Sequence, residues 1–466
     1  MRSLFPFLAL IVCGLAMTAC DAFDKSAPPF DETNELVVIT VNSPDTFYEN
    51  AEGGYAGLEF DLASEFSREL GMKVRFVVAP QLSQVQAALE KQRGHFAAAG
   101  LSITAEQQGR VRFGPVYQRV QPQVAYNTDY PKPKNIQYLS GKIIEVATGA
   151  GHAERLNEAK QKVPGLKWIE ADIAGEDLLA KLAEGKIDYA VADSTHISMA
   201  KNFYPSLGVA FNLGAESSRA WMFPLDVKPA LLKKADQFFK RIEKDGTLKR
   251  LIDRYYGHIR RLEQADVSGI LEKTRTLLPG LRGYFHQAEV LTGIDWRLIA
   301  ALAYQESHWD RLATSPTNVR GIMMLTEGTA DLMKVTDRLD ARQSILAGAR
   351  YLLTLKDLLP PRIKEPDRTW IALASYNQGY GHIEDGRVLA QRLGLNPDSW
   401  LDLKKALPLL SRSEYFENLK HGYARGGEAV VLTESVRTYY DILLKYERPY
   451  SPASGFPASD GFGSIF

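Results

Sequence analysis

Apolar and polar residues follow two different rhythms along the chain. Between Glu35 and about Tyr256, short β-branched runs alternate with stretches whose apolar residues recur at helical spacing. Strands are predicted at 36–41, 73–79, 142–148 and 187–193, with helices between them, among others at 60–70 and 84–91. Alternating strands and helices indicate an α/β fold with largely parallel sheets.

The second half of the chain has a helical rhythm alone. From about Val267 onward no β-branched run stands out, and apolar residues recur at the spacing of amphipathic helices. This half is therefore predicted to be all-α over 267–448. The polar stretch 257–266 is predicted to be a linker, and the Pro-, Gly- and Ser-rich tail 449–466 is predicted to be flexible.

The first twenty residues have the features of an export signal. Arg2 precedes the uncharged apolar stretch Leu4–Met17, and small residues lead to Cys20. The stretch is shorter than the about 20 residues that span a bilayer. Residues before Cys20 resemble a bacterial lipobox, although Met17 stands where Leu is usual, so lipidation of Cys20 and simple cleavage nearby are both open. The predicted location is the cell envelope.

Composition and charge narrow the function classes. The 466 residues are 45% hydrophobic and 24% charged, which is typical of folded domains. Lys and Arg (56) balance Asp and Glu (56), so the chain lacks the basic excess of a nucleic-acid-binding protein. The eight histidines are scattered and form no zinc motif. We expect no nucleic acid, no metal and no cofactor, and a neutral or polyol substrate.

One acidic residue falls on the apolar face of a predicted helix. This helix is predicted to begin after Asp295, a plausible N-cap, and Glu306 follows the apolar Ile299 by seven positions, on the same face. A carboxyl group buried there would have a raised pKa and could donate a proton. The alternative is a solvated Glu306 at the helix end beside His308 or Arg311.

The α/β half resembles a known family of binding proteins. The segments GGYAGLEFDLASEF and GLSITAEQQGRVRFGPVY are similar to family 3 of the extracellular solute-binding proteins. The resemblance covers about 35–256 and implies two lobes with a ligand in the cleft, here a small amino acid or a muropeptide. Asp193 matches the acidic residue that binds the ligand's ammonium group. Gln107, after Thr104, replaces the arginine that binds its carboxylate, and Arg110 is an alternative.

A glycine turn lies within this half. Gly149 and Gly151 follow a predicted strand and precede a helix, but Glu154 occupies the third position of a G-x-G-x-x-G motif. This pattern argues against a dinucleotide site. It predicts instead a helix N-terminus with free N–H groups.

The helical half resembles the soluble lytic transglycosylase (goose-lysozyme-like) domain. Four segments match its motifs in order over about 291–440: Glu306-Ser307, 321–324, 374–379 and 434–439. Three positions depart from the pattern: Met324 replaces a Gln, Ser375 replaces an Ala, and Ser435 stands where a Glu is expected. Together the two halves resemble membrane-bound lytic murein transglycosylases, with a lysozyme-like second domain.

The resemblance implies a function and a set of site residues. Glu306 is the expected single acid and base, and the expected substrate-binding residues are Ser307, Met324, Tyr376, Asn377 and Tyr439. The implied enzyme is a lyase that cleaves the MurNAc–GlcNAc bond of peptidoglycan strands with a 1,6-anhydro product, on the periplasmic side of the outer membrane.

Several alternatives stay open. Tyr376, Asn377 and Tyr439 could simply pack in the core. Asp310, one helical turn past Glu306, could be a second carboxylate or a surface group. The whole chain could also be a catalytically silent receptor anchored to the cell wall.

Overall fold

The computed structural model describes residues 26–30, 32–44, 46–49, 54–259 and 262–451. The predicted signal segment, including Cys13 and Cys20, lies outside these residues, as do positions 452–466 of the predicted tail. The chain divides into two compact units, Met1–Val267 and Ser268–Phe466.

The first unit is an α/β structure. Its described strands are β1 (Glu35–Val41), β2 (Tyr48–Glu49), β3 (Tyr55–Ala56), β4 (Lys73–Ala79), β5 (Phe96–Ala97), β6 (Val111–Val120), β7 (Pro122–Asn127), β8 (Ile144–Ala147), β9 (Ile169–Ala171), β10 (Tyr189–Asp193), β11 (Leu207–Asn212) and β12 (Ser217–Pro224). Its helices are α1 (Leu58–Glu69), α2 (Ser83–Glu90), α3 (His152–Lys160), α4 (Gly175–Ala183), α5 (Ser194–Lys201), α6 (Pro229–Lys244) and α7 (Thr247–Tyr256), with a 3₁₀ turn at Ile136–Leu139.

Two five-stranded sheets form two lobes. The first has the order β4-β1-β5-β12-β6 and the second the order β11-β7-β10-β8-β9. Gln121 alone separates β6 from β7, so the chain crosses between the lobes there, and it returns between β11 and β12. The predicted two-lobed α/β fold is confirmed.

The sheets are mixed rather than largely parallel. In the first, β4 and β5 run parallel to β1, but β12 runs antiparallel to β5 and β6. In the second, β8 is parallel to β9 and β10, while β7 is antiparallel to β10 and β11. The antiparallel pairs involve the strands next to the two crossings. These strands enter a sheet directly from the other lobe, so they lack the helical crossover that parallel pairing requires.

The strands that were predicted from apolar runs form the buried core of each lobe. Residues Leu36 to Ile39 of β1 are completely buried, as continuous apolar runs in a covered sheet should be. Aromatic rings fill the first lobe, where Phe96 stacks on Trp221 at 4.5 Å between ring centroids. Trp221 lies on β12, so this packing holds the strand that also carries Arg219.

The second unit is helical. Its described helices are α8 (Gln264–Thr276), α9 (Leu278–Thr292), α10 (Trp296–Ser307), α11 (Glu327–Leu332), α12 (Ala341–Leu358), α13 (Asp367–Gln378), α14 (Tyr380–Arg392), α15 (Trp400–Ala406), α16 (Ser413–Phe416) and α17 (Gly426–Tyr446), with a 3₁₀ turn at Leu407–Ser411. The first of them, which crosses the unit boundary, begins inside the stretch predicted as a linker. The all-α prediction is confirmed.

Helix α10 lies at the centre of this unit. Ten of its residues are buried, in an unbroken run from Trp296 to Tyr304 and again at Ser307. It packs against α17, where the rings of Tyr304 and Tyr439 meet edge to face at 4.8 Å. Among the described residues, no helix combines the length and apolar character needed to cross a bilayer.

Candidate active site

Glu306 lies in the last turn of α10. The helix begins at Asp295, whose side chain accepts a hydrogen bond from the Arg297 amide at 2.8 Å, so the predicted N-cap is confirmed. Glu306 is half-buried, and no described residue forms a hydrogen bond or an ion pair with its carboxyl group. Burial raises the pKa of this carboxyl group to about 8. The alternative contacts with His308 and Arg311 are not formed.

Ser307 connects the end of α10 to the turn at 321–324. Its hydroxyl donates to the Ile322 carbonyl at 2.8 Å, and the residue is only 9% exposed. On the other side of the turn, the Met323 amide donates to Ser344 Oγ at 3.2 Å. Ser307 therefore holds the turn beside Glu306, and the Ser307 hydroxyl is engaged in a hydrogen bond with a backbone carbonyl.

The turn itself has an unusual backbone. Gly321 has φ of 81°, and a Cβ atom built there would lie 1.8 Å from the Arg338 carbonyl oxygen. Met324 also has a positive φ, 46°, and its side chain is half-buried. A non-glycine residue with positive φ is strained, and such strain is common where a site must be shaped.

Tyr376 completes the wall beside Glu306. Its hydroxyl donates to the Met323 carbonyl at 2.8 Å. Burial raises the pKa of Tyr376, and the nearby charge of Glu306 raises it further, so the two groups are close. The next residue, Asn377, is exposed, and no hydrogen bond to a described residue engages its amide. Tyr351, which nothing in the sequence pointed to, packs its ring 5.4 Å from that of Tyr376.

Tyr439 is placed differently from the other predicted residues. It is 4% exposed and packs within the core of the unit, against Tyr304 of α10. Tyr439 therefore contacts α10, the helix that carries Glu306. Asp310 is exposed, and its Oδ1 accepts the Leu312 amide at 2.9 Å, as a residue that caps a turn does.

Glu434 is a buried carboxylate with partners. It is 1% exposed, and its Oε1 accepts hydrogen bonds from Trp400 at 2.5 Å and from Arg437 at 3.0 Å. Lys404 lies 3.5 Å from the same oxygen. Glu434 is thus a buried carboxylate with two cationic neighbours. Ser435, which occupies the expected motif position, is also buried.

In the first unit, one of the predicted ligand residues lines the cleft. Asp193, at the end of β10, borders a cavity of about 80 Å³ between the lobes. Thr104 and Gln107 are buried but do not line this cavity, and exposed Arg110 pairs with Glu90 at 2.9 Å. Thr104 lies beside Gly151 at the start of α3, so it is near the cavity although it does not line it.

Asp193 already has two partners. Its Oδ2 accepts from Arg219 at 2.8 Å, and its Oδ1 lies 3.1 Å from His152 Nε2. Although burial opposes the charged form, Arg219 and His152 lower the pKa of Asp193 below its ordinary value. The prediction that Asp193 binds a ligand's ammonium group did not include Arg219, because no motif marks that residue.

Two family models match the chain, the first over the α/β unit and the second over the helical unit. The bacterial extracellular solute-binding proteins, family 3, match residues 36–258, and the transglycosylase SLT domain matches residues 283–393. A membrane-bound lytic murein transglycosylase F from Nitrosospira multiformis is 66% identical, over 98% of this chain and 95% of its own length. The chain belongs to this family.

Other relatives agree. A membrane-bound lytic murein transglycosylase F from Methylobacillus flagellatus is 51% identical, over 98% of each chain, and one from Thiobacillus denitrificans is 45% identical. The predicted enzyme class, a lytic murein transglycosylase, is confirmed, and the silent receptor is not favoured. Among solved structures, an ancestral arginine-binding protein bound to arginine is 21% identical, over 48% of this chain and 98% of its own, with a TM-score of 0.44.

Gly321→Ala should distort the turn that faces Glu306. The new Cβ would collide with the Arg338 carbonyl, at a backbone angle that alanine resists, so we expect a loss of about 2 kcal/mol or more in the free energy of unfolding. Urea unfolding measures it, and lytic activity should fall as well. Gly328→Ala, at an exposed helical position with open space around it, is the matched control and should leave stability unchanged or slightly higher. Equal stability of the two variants would contradict the steric argument.

Proposed function

We propose that Glu306 is the single acid and base of a reaction that cleaves the β-1,4 bond between MurNAc and GlcNAc in peptidoglycan strands. One observation carries this proposal: the Glu306 carboxyl group has no partner among the described residues, and burial raises its pKa to about 8. Most of this group is therefore protonated near neutral pH. A general acid needs such a pKa, close to the pH at which it works.

The reaction has two balanced steps. First, protonated Glu306 donates its proton to the glycosidic oxygen, the bond from this oxygen to muramoyl C1 breaks, and Glu306 is left as a carboxylate. Second, this carboxylate takes the proton of the muramoyl 6-hydroxyl while O6 bonds to C1. The product has a 1,6-anhydro ring, no water is consumed, and Glu306 ends protonated as it began.

A single carboxyl group suffices for this sequence. Burial is the sole cause of the raised pKa of Glu306, with no contribution from a second charged group. Asp310 is exposed and engaged with the Leu312 amide. Glycoside hydrolases that use water as the acceptor mostly need two carboxylates, one on each side of the bond. The environment of Glu306 therefore fits a reaction in which the muramoyl 6-hydroxyl is the acceptor better than one in which water is.

The remaining residues shape the site in two ways. The exposed amide of Asn377 and the side chain of Met324 contact the sugar in our proposal, and the Tyr376 ring borders it. Ser307 and Tyr376 fix the turn at 321–324 through their hydrogen bonds to Ile322 and Met323. Tyr439 is a positioning residue that supports α10 through Tyr304.

The first unit has a regulatory role in this proposal. In this proposal the solute-binding domain comprises residues 35–256 and the catalytic domain residues 267–448. The ligand of the solute-binding domain is a small amino acid or a muropeptide. Such a ligand controls the enzyme only if it binds more tightly when the active site is in one of its two states. The protein acts on the periplasmic side of the outer membrane, with a lipid on Cys20 as the anchor.

Glu306→Gln should abolish lysis and leave the fold intact. Without a transferable proton the first step stops, and we expect at least about a hundredfold loss of activity on purified sacculi. Mass spectrometry of the products should show 1,6-anhydromuramyl ends from the unchanged protein. The control is Asp310→Asn, which should keep full activity. Reducing-end muramic acid among the products, or full lysis by the Glu306→Gln variant, would contradict the proposal.

The same substitution should raise stability at neutral pH. The Glu306 carboxyl group ionises near its ordinary value in the unfolded chain but only near about 8 in the folded one. Between these values the unfolded state holds fewer protons, so ionisation favours unfolding as the pH rises. In the Glu306→Gln variant this ionisation is absent, so the melting temperature at neutral pH should be equal or higher. A clear drop in the melting temperature would show that the carboxyl group has a stabilising partner.

The pH profile tests the pKa of Glu306 directly. Because the acid must be protonated before the first step, kcat/KM on solubilised glycan strands should be level in the neutral range and fall as the pH rises through about 8. Asp310→Asn should show the same descending limb. Activity that increases from neutral to alkaline pH would require a different acid.

A further inference from the structure

One face of α12 packs against the turn at 321–324. Ser344, Gly348 and Tyr351 follow one another at helical spacing, so they lie on the same face of this helix. Ser344 Oγ accepts the Met323 amide at 3.2 Å. A Cβ atom built on Gly348 would lie 2.6 Å from the Met323 side chain, so the helix touches the turn closely there. Tyr351 is the third residue on this face.

Tyr351 packs against Tyr376 of the neighbouring helix α13. The two ring centroids lie 5.4 Å apart, with 58° between the ring planes, and both residues are half-buried. Thr329 of α11 lies next to the Tyr351 hydroxyl. Aromatic rings at this distance and angle attract each other. The ring of Tyr351 therefore restricts the positions that the Tyr376 side chain can take.

The Tyr376 hydroxyl donates to one acceptor although a second is near. It donates to the Met323 carbonyl at 2.8 Å. In the part of the chain that the structure describes, Glu306 is the acidic group whose charge acts on Tyr376, yet its carboxyl group accepts no hydrogen bond there. A hydroxyl has one proton to donate, so the bond to Met323 keeps this donor from Glu306.

The other titratable groups around the end of α10 leave Glu306 without a partner. They are Lys273 on α8, Tyr304 within α10, His308 and Asp310 just after it, and Tyr439 on α17. Lys273 donates to the His308 carbonyl at 3.4 Å, and Asp310 accepts a backbone amide. Among the described residues none of these groups forms a hydrogen bond or an ion pair with Glu306, and burial is the cause of its raised pKa.

We propose that Tyr351 is a positioning residue whose ring holds the Tyr376 hydroxyl on the Met323 carbonyl and so keeps a donor away from Glu306. This inference rests on the proposed role of Glu306 as the acid and adds a residue that acts through Tyr376. A donor on the Glu306 carboxylate would stabilise the charged form and lower its pKa. A larger share of Glu306 would then be ionised near neutral pH, and that share cannot protonate the glycosidic oxygen.

Two substitutions at Tyr351 test whether the ring has this effect. Tyr351→Leu removes the ring, so the Tyr376 hydroxyl should donate to the Glu306 carboxylate. The descending limb of kcat/KM on solubilised glycan strands should then move at least about half a pH unit to lower pH. Tyr351→Phe keeps the ring and should keep the limb of the unchanged protein. An unmoved limb in Tyr351→Leu, or an equal shift in both variants, would overturn the inference.

A double variant separates the Tyr376 hydroxyl from water as the cause of the shift. Loss of the Tyr351 ring also admits water to Glu306, and this lowers the pKa without any action of Tyr376. Tyr351→Leu combined with Tyr376→Phe has no hydroxyl to donate, so its limb should return by more than half of the shift. A smaller return would overturn the inference.

Tyr376→Phe alone tests the hydrogen bond to Met323 and does not depend on whether Tyr351→Leu folds. Because the hydroxyl is engaged with Met323 and not with Glu306, its removal loosens the turn and lowers the rate but should leave the limb in place. A limb that moves to higher pH would show that Tyr376 already donates to Glu306, and this would overturn the inference. Circular dichroism checks each fold, and Tyr351→Met, with its adaptable side chain, replaces Tyr351→Leu if that variant does not fold.

A control in the same helix separates this effect from general loosening of α12. Leu353→Ala shortens a half-buried side chain on another face of the helix, so it should lower the melting temperature and leave the limb in place. An equal shift there would overturn the role of Tyr351. Glu306→Gln keeps the two claims apart: lysis by that variant contradicts the proposed reaction, whereas an inactive Glu306→Gln with an unmoved limb in Tyr351→Leu overturns this inference alone.

Discussion

The proposed reaction depends on a carboxyl group that is half-buried and has no partner among the described residues. Desolvation raises the pKa of Glu306 to about 8, and any nearby cation would lower it again. The protein meets this constraint because the neighbouring polar side chains form hydrogen bonds with the backbone instead of with Glu306. The hydroxyls of Ser307 and Tyr376 both donate to backbone carbonyls of the turn at 321–324, so they shape the site without binding Glu306.

Buried carboxylates elsewhere in the chain show the opposite solution. Glu434 accepts hydrogen bonds from Trp400 and Arg437, and Asp193 is held between Arg219 and His152. Burying a charge is costly unless it is paired, and these two carboxylates have cationic partners, whereas Glu306 has none among the described residues. A protein tolerates an unsatisfied group mainly where function requires it. The lack of a partner for Glu306 among the described residues therefore supports its proposed role as the acid more strongly than its place in a motif does.

The sequence predicted local features well and long-range pairings poorly. The N-cap at Asp295 was predicted, and helical spacing placed Glu306 on the apolar face with burial and solvation both open, because both features depend on residues within a few turns. Likewise the strand at 73–79 was predicted with its bounds correct. By contrast, the antiparallel strands near Gln121 and the partnership of Arg219 with Asp193 depend on how the chain crosses between lobes. No local sequence pattern indicates where the chain crosses between the lobes. Tyr351 was missed for the same reason, since it meets Tyr376 only through the packing of α12 against α13.

The internal ion pair also limits how strongly a ligand can control the lobes. Arg219 and Asp193 connect the two sheets with no ligand involved, and the Ala105 amide adds a further link to Glu154 at 3.1 Å. A ligand shifts an equilibrium only by the difference between its affinities for the two states. Because the chain itself makes this charged contact across the cleft, a ligand must gain that difference from its own contacts with the two lobes.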